Sequence, residues 1–386
     1  MPAIDYNDLL NTHPHFAFGG WVTLALLVLM TNTFLNDKQR DKPVYQYIFW
    51  SIFLSSWAYV FILPFSGYAT ISRYISIVFI LTTYVFTWLY FKDIRSSFRD
   101  GKVSRTVYLL SFSGLICLVL SSVGPFMLTY LFAVKSLNAV LYRDALFSYL
   151  HLQYNGFFTL SVFALLFQKL ELNLSLKEQK NVHRFSVWLV VSVLPSMFLS
   201  YHWSDPSDYF HAIAYSGSTL SLISLVLFII VFRYIVKVYK SLSPLLKSIG
   251  FLSLFSFMMK MLLQSLTIFN IIGNPVFGDR PIIIGFLHMV FLGFVTLFLL
   301  IYFAQTGIFH INKRITRYSL VLFTFGVVIN EVFLWTQGID AIFLRSSDLF
   351  PWFLWGASIL LVVSALLIYL SRMKSTPDLV NAVGNK

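Results

Sequence analysis

Residues 281–303 read PIIIGFLHMVFLGFVTLFLLIYF, an apolar stretch that contains no Asp, Glu, Lys or Arg. An α-helix rises 1.5 Å per residue, so this stretch is long enough to cross the roughly 30 Å hydrocarbon core of a bilayer. Ten similar runs lie at about residues 18–35, 45–65, 71–91, 107–133, 144–167, 185–201, 212–232, 248–269, 318–336 and 350–371. The sequence therefore predicts an all-α polytopic membrane protein with about eleven transmembrane helices.

The composition agrees with this prediction. The 386-residue chain is 58% hydrophobic and 11% charged, against roughly 45–50% and 25% in soluble domains. These values exclude a soluble enzyme. We expect one transmembrane helical domain over residues 1–386, with a short outer segment at 1–17 and a cytoplasmic tail at 372–386. The single cysteine, Cys117, excludes a thiolate cluster, so any metal must be held by nitrogen or oxygen.

The formal net charge of +12 is distributed between the apolar runs. Alternate connections hold 22 of the 28 Lys and Arg residues, five lie on the opposite side, and Lys260 lies near the middle of a run. By the positive-inside rule the rich side is cytoplasmic, which places the N-terminus outside and the C-terminus inside. This distribution predicts a multi-pass protein of the cytoplasmic (inner) membrane whose partner is the lipid bilayer. A nucleic-acid partner is not expected, because the basic residues form no contiguous patch.

Six of the eight histidines fall on the predicted outer side: His13, His15, His151, His202, His211 and His288. An imidazole within hydrocarbon is costly unless it is paired, hydrogen-bonded or bound to a metal. Each histidine can therefore be a packing residue that donates to a carbonyl of a neighbouring helix. Together, they can instead form a cofactor site built from the facing sides of several helices.

Two of these histidines begin the same pattern. From His15 and from His288 the chain has four residues, a glycine, an aromatic residue, and then Val, Thr and Leu. The glycines, Gly20 and Gly293, lack a side chain and so allow a flat macrocycle or another helix to approach closely. Two axial imidazoles would bind a low-spin haem b. The alternative is close helix packing combined with chance similarity between two Phe-rich segments.

A looser copy of the pattern begins at His151, where Tyr154 and Asn155 precede Gly156. Taken together, the three segments resemble subunit I of the haem-copper oxidase superfamily, in particular its nitric-oxide-reductase-like branches. The resemblance implies that the eleven runs correspond to helices 2 to 12 of that family. It also implies that His15 and His288 are the low-spin haem ligands and that His151 occupies the position of a copper ligand.

The chain departs from this family at two positions that matter for catalysis. Phe286 stands where the family has its high-spin haem ligand, and Tyr201-His202-Trp203 replaces a His-His pair. We therefore expect an oxygen- or nitric-oxide-reducing centre to be absent or rebuilt, so that an intact terminal oxidase is not predicted. His151, His202 and His211 remain candidates for a second site that would bind copper or zinc.

Further polar residues lie within the apolar runs. Lys260 lies near the middle of the eighth run, with Gln264 one turn outward, and must face the interior; Glu331 lies in the tenth run. Intramembrane charges of this kind either pair structurally or serve a function such as proton transfer. The candidates for a proton or polar network are Glu331, Lys260, Gln264, Asn155, Tyr154, His13 and His211.

Two functions are consistent with these residues. The first is a haem-binding membrane protein for electron transfer, sensing or respiratory assembly, with other respiratory membrane subunits as partners; a rebuilt oxidoreductase activity remains open. The second is a cofactor-free transporter or membrane scaffold with a polar binding site in the outer leaflet. An optical spectrum of the purified protein would distinguish these two classes.

Overall fold

The computed structural model describes residues 6–67, 70–204, 207–269, 271–273, 278–343, 345 and 347–373. The chain is 89% helical, and the described residues include no β-strand. Among the described residues, eleven helices are long and apolar enough to cross a membrane. The predicted fold class of a multi-pass helical membrane protein is confirmed. The outermost parts of the predicted terminal segments, 1–5 and 374–386, lie outside the described residues.

The eleven helices are numbered in chain order. They are α1 Asp8–Phe34, α2 Pro43–Phe65, α3 Ile71–Arg99, α4 Arg105–Ala133, α5 Ala139–Asn173, α6 Leu176–Tyr201, α7 Asp208–Ser241, α8 Pro244–Leu266, α9 Arg280–Gln305, α10 Arg314–Ile342 and α11 Leu349–Arg372. We call the end of each helix that adjoins the connections rich in Lys and Arg its basic end.

The first helix begins earlier than hydropathy predicted. The chain is already helical at Tyr6, so His13 and His15 lie within the helix and not ahead of it. Its polar first turns are compatible with this, because the Thr12 hydroxyl donates to the Asp8 carbonyl one turn earlier, at 2.8 Å. A hydroxyl that bonds to its own helix exposes no unpaired group.

Local capping signals fix several of the other starts. Ser104 precedes α4 and accepts a hydrogen bond from the Val107 amide. Ser175 and Glu178 form a reciprocal capping box at the start of α6. Such caps satisfy amides that the first helical turn leaves without partners.

The chain divides into two compact units, Met1–Val238 and Tyr239–Lys386, where the sequence indicated one domain without an internal boundary. The first unit contains α1–α6 and α7 as far as Val238, and the second contains α8–α11. Within the first, α2 packs on α3, α4 on α5 and α6 on α7; within the second, α9 packs on both α8 and α10, and α10 packs on α11.

In each unit, the most buried helix carries one of the histidines. In the first unit this helix is α5, of whose most apolar stretch 89% is buried, against 28% for α3. In the second it is α9, with 72%. Edge-on and tilted contacts among Phe163, Phe185 and Phe228 join α5 to α6 and α7, with ring centroids 5.2–5.6 Å apart.

The outward faces of several helices are strongly apolar. Large side chains on α2, α3 and α11 are exposed, and such surfaces are stable only when lipid or another apolar partner covers them. The clearest examples are Trp50, Phe61, Trp88, Trp352 and Trp355. This distribution places the protein in a lipid bilayer.

Three helices contain π-helical segments at corresponding positions. These segments are Phe16–Thr23 in α1, Leu152–Phe158 in α5 and Met289–Thr296 in α9. Each begins at the residue directly after His15, His151 or His288. Each of these helices comes four helices after the previous one in the chain. The three histidines are likewise separated by nearly equal lengths of chain.

The π segments explain the spacing of histidine and glycine. At 3.6 residues per turn, a residue five positions along an α-helix lies about 140° around it. A π turn bonds residue i to residue i+5 and so holds nearly one residue more per turn, which brings the fifth residue back toward the side of the first. The glycine of each pattern therefore lies closer to the side of its histidine than regular α-helix would place it.

Candidate functional site

His151 is buried in α5, with 2% of its surface exposed. Its Nε2 lies 2.9 Å from the Val193 carbonyl of α6, and the Asn155 amide nitrogen lies 3.1 Å from its Nδ1. An amide N–H can only donate and a carbonyl can only accept. Nδ1 is therefore the acceptor, and Nε2 carries the proton that His151 donates to α6.

Both ring nitrogens of His151 are thus engaged by the protein, and the Ser196 hydroxyl lies a further 3.3 Å from Nε2. This is the arrangement of a packing histidine that donates to a neighbouring helix, and it leaves no lone pair for a metal. The side chain of His202 lies outside the described residues, and His211 is half-buried in α7. Among the described residues, no group of three or more His, Cys, Asp or Glu side chains is arranged to hold a metal ion. The hydrogen bonds of His151 do not fit its predicted role as a ligand of a second metal; because the site was predicted to include His202, it otherwise stays a prediction.

Other polar groups extend this arrangement across three helices. The Gln153 amide nitrogen donates to the Ser121 hydroxyl of α4 at 2.8 Å, and that hydroxyl donates to the Leu118 carbonyl. The Tyr154 ring lies 5.7 Å from the His151 ring. We refer to His151, Gln153, Asn155, Ser121 and Ser196 as the α5 polar cluster. It links α4, α5 and α6 through hydrogen bonds.

His15 lies in the first unit against an aromatic ring of α2. Its imidazole stacks on Tyr59, with ring centroids 4.5 Å apart and planes 9° apart. The Tyr59 hydroxyl bonds in turn to Ser76 of α3. Stacking covers a face of the imidazole, whereas the nitrogen lone pair lies in the plane of the ring. The stacked position of His15 is therefore compatible with the role of an axial ligand. His13, two residues earlier, is exposed.

His288 lies in the second unit, directly before the π segment of α9. Its Nδ1 lies 2.9 Å from the Ile284 carbonyl, one turn earlier. A carbonyl only accepts, so Nδ1 carries the proton and the lone pair is on Nε2. A histidine that ligates iron is normally fixed in this way, with one nitrogen donating to a carbonyl while the other binds the metal. His288 therefore fits the role of an axial ligand.

The glycines of the three patterns pack against neighbouring helices. A methyl group added to Gly20 would lie 2.9 Å from Ser56 Cβ, and one added to Gly293 would lie 2.7 Å from Ser256 Oγ. At Gly156 the corresponding distance to Cys117 Cβ is 2.4 Å. These faces are occupied by protein, as the packing alternative expects. The fit to haem consequently depends on the histidines and not on a free surface at Gly20 or Gly293.

The second unit contains the two intramembrane charges identified from the sequence. Lys260 is 1% exposed, which confirms that it faces the interior. Its ammonium lies 3.6 Å from the Met261 sulfur and 5.7 Å from the centre of the Phe257 ring. Within the described part of the chain, the carbonyl oxygen of buried Gln264 and both carboxyl oxygens of Glu331 are covered but form no hydrogen bond.

Sequence reasoning missed a buried ion pair at the basic end of α3. Asp93 is 6% exposed; Lys42 Nζ lies 2.5 Å from one of its oxygens, and the Tyr45 hydroxyl donates to the other at 2.9 Å. The signal was a lone aspartate at the edge of an apolar run, which resembled a solvated connection. A second ion pair, between Lys237 and Glu178 at 2.9 Å, joins α7 to α6.

Comparison with known proteins gives no family assignment. No protein-family model matches the sequence, and no curated protein is significantly similar to it. The resemblance to haem-copper oxidase subunit I therefore rests on the sequence alone, above all on the three histidine segments.

Proposed function

We propose that the chain is a haem protein of the cytoplasmic (inner) membrane, distantly related to haem-copper oxidase subunit I. One observation carries the proposal: α1 and α9 each have a histidine, then a π segment, and then the same Gly-aromatic-Val-Thr-Leu sequence. π segments are rare in proteins overall, and those that occur are often located at functional sites. Two copies that begin directly after a histidine favour a shared role for those histidines.

His15 and His288 are the candidate axial ligands of a haem b, which would supply a one-electron iron couple. The Ile284 carbonyl orients His288, and Tyr59 holds the plane of the His15 ring. Phe286 has no group that binds iron, so the proposal is limited to a single low-spin haem. Electron transfer, sensing or support of a respiratory assembly fits such a haem better than gas reduction does.

The test is an optical spectrum of protein expressed with added haem and purified in detergent. We expect a low-spin b-type spectrum that is lost in His15→Ala and in His288→Ala. His13→Ala is the matched control, because His13 lies on the same turn as His15 but is exposed, and this variant should keep the spectrum. Folded protein without a Soret band would reject the proposal.

A second candidate function is a cofactor-free transporter or membrane scaffold. The α5 polar cluster favours it, because both ring nitrogens of His151 form hydrogen bonds within the protein. The glycine faces also favour it, because neighbouring helices pack closely against them. Monodisperse protein that remains colourless after haem addition, with unchanged stability in His15→Ala and His288→Ala, would favour this function over the first.

The proposed orientation, with the N-terminus outside and the C-terminus cytoplasmic, is supported by the placement of 22 of the 28 basic residues. It can be tested with a cysteine introduced at Asn312, in the basic connection before α10, in a Cys117→Ser background. An impermeant thiol reagent should label Asn312→Cys in inside-out vesicles and not in intact cells. The reverse pattern would invert the topology.

A further inference from the structure

The contacts between α9 and α10 fix which residues lie at the same depth. A methyl on Gly338 would lie 2.7 Å from Ile282, and one on Gly285 would lie 3.4 Å from Leu334. The two helices run in opposite directions, so three residues forward on α9 correspond to three residues back on α10. This register places His288 level with Glu331.

The contacts between α8 and α9 extend the same level to a third helix. The Ser253 hydroxyl donates to the Phe294 carbonyl at 2.7 Å, and the rings of Phe257 and Phe294 lie 5.2 Å apart. These helices are also antiparallel. Moving back along α9 from residue 294 to 288 moves forward along α8 to about residue 260. Lys260, His288 and Glu331 therefore lie at one depth on three packed helices of the second unit.

Unmet hydrogen-bonding groups are concentrated near this level. Glu331 has two covered carboxyl oxygens, Asn330 a covered amide nitrogen, and Gln264 a covered carbonyl oxygen; none of the four atoms has a hydrogen-bond partner among the described residues. The Asn330 and Trp335 side chains are the polar groups near the Glu331 carboxyl, but neither is in hydrogen-bonding geometry. Buried polar atoms are nearly always paired with protein or water, so this group of atoms indicates bound water.

The charged neighbours of Glu331 are few. On α8 and α9 the titratable groups at its level are Lys260 and His288, and α11 has none between Leu349 and Tyr369. On α10 itself, Arg317 and Asp340 lie near the two ends of the helix. Lys260 is therefore the lysine or arginine of the second unit that lies level with the Glu331 carboxyl.

We propose that Glu331 is a proton-binding carboxyl in a hydrated site that it shares with Lys260, Gln264 and Asn330. Its ligands are water and a proton, and the ammonium of Lys260 controls how readily the proton is bound. Water supplies the proton and accepts it again, so the exchange requires no other reactant. The proposal does not require that His288 binds haem, because none of the four atoms without a hydrogen-bond partner belongs to His288.

The expected coupling between the two charges can be estimated. Helices in contact have axes about 8–10 Å apart. Two unit charges at that distance, with an effective dielectric constant of about 20, change each other's proton affinity by roughly 20-fold. Removal of the Lys260 charge should therefore move the protonation of Glu331 by about one pH unit or slightly more.

The test uses dicyclohexylcarbodiimide, an apolar reagent that modifies protonated carboxyls within membranes, on the full-length protein in detergent. Peptide mass spectrometry would quantify the Glu331 adduct between about pH 5 and 9. We expect labelling to fall as pH rises and to be absent in Glu331→Gln. In Lys260→Met the midpoint should move about one unit higher, whereas Lys247→Met, a matched change near the basic end of α8, should leave it unmoved.

A folded protein whose Glu331 is never labelled, or is labelled equally at every pH, would overturn the proposal. An unchanged midpoint in Lys260→Met would contradict the proposed effect of Lys260 on proton binding by Glu331. If that variant does not fold, Lys260→Gln serves instead, and the wild-type pH curve stands without any variant. Infrared spectra in D₂O provide the test of hydration: the carboxyl band lost in Glu331→Gln should shift within minutes, and a band that does not shift would contradict bound water.

Discussion

The contact between Gly156 of α5 and Cys117 of α4 gives a prediction that depends on one methyl group. In Gly156→Ala the added carbon would lie 2.4 Å from Cys117 Cβ and 2.8 Å from its Sγ. Carbon atoms normally stay about 3.5–4.0 Å apart. A Cβ atom is fixed to its backbone, so rotation of a side chain cannot relieve the clash and the two helices must separate.

The magnitude follows from two opposing effects. Overpacking of a close contact costs about 1–3 kcal/mol, whereas replacing glycine by alanine at an unhindered site stabilises by about 0.4–1 kcal/mol. We therefore expect Gly156→Ala to lose about 1–2 kcal/mol of stability. Gly356 of α11 is the matched control, because a methyl there meets nothing within 4 Å, and Gly356→Ala should be neutral or slightly stabilising.

Cys117 itself provides the assay, because it is the only cysteine in the chain and is buried. A maleimide dye that fluoresces on reaction with thiols would report the opening of the α4–α5 contact during heating in detergent. A loss of 1–2 kcal/mol corresponds to a Tm lower by about 2–8 °C for a unit of this size. Glycine at position 117 has its own cost in a helix, so the double variant Cys117→Gly/Gly156→Ala is compared with Cys117→Gly by gel filtration after heating. In that background, Gly156→Ala should lower the Tm much less than it does in the wild type. Equal Tm values for Gly156→Ala and Gly356→Ala would refute the packing described for α4 and α5.

Three further changes test other contacts. His151→Ala removes the donor to the Val193 carbonyl and should cost about 1–3 kcal/mol; equal unfolding curves in SDS for this variant and the wild type would contradict a structural role. Asp93→Asn weakens the pair with Lys42 and should cost about 1 kcal/mol, because Lys42 is 42% exposed and solvent screens the pair; the difference should shrink in high salt. Ser253→Ala removes the hydrogen bond to the π segment of α9 and should lower Tm by a few degrees, while amide exchange that is unchanged in Met289–Thr296 would argue against that bond.

The sequence was sufficient for the parts of the fold that depend on one helix at a time. Apolar runs of about twenty residues identify the membrane helices, and the cost of burying an ammonium in lipid correctly placed Lys260 in the interior. These inferences need no knowledge of which helices are neighbours.

Partnerships between helices could not be read in this way. His151 donates to a carbonyl 42 residues further along the chain, and carbonyls leave no mark in a sequence because every residue has one. Asp93 is paired with Lys42, 51 residues earlier. Both pairings depend on which faces of two helices meet, and that choice is made by the packing of the whole unit.

The sequence pattern also did not predict the π segments, although the repeated histidine and glycine mark their positions. Helical periodicity assumes 3.6 residues per turn throughout, so a local surplus of one residue appears only as an irregular stripe. The sequence pattern thus marks the three places where π segments occur, but regular α-helix was predicted there.

A π segment also changes the direction in which side chains before it point, relative to the side chains after it on the same helix. The surplus residue turns everything before it by about 100° relative to everything after it. Deleting one residue within Met289–Thr296 would restore an ordinary helix and swing His288 to a different side, while Leu297 and Leu300 kept their places in the core with Ile249 and Leu320. The direction of the histidine is thus set by an insertion in the backbone, which evolution can add or remove in a single step without redesigning the packed half of the helix.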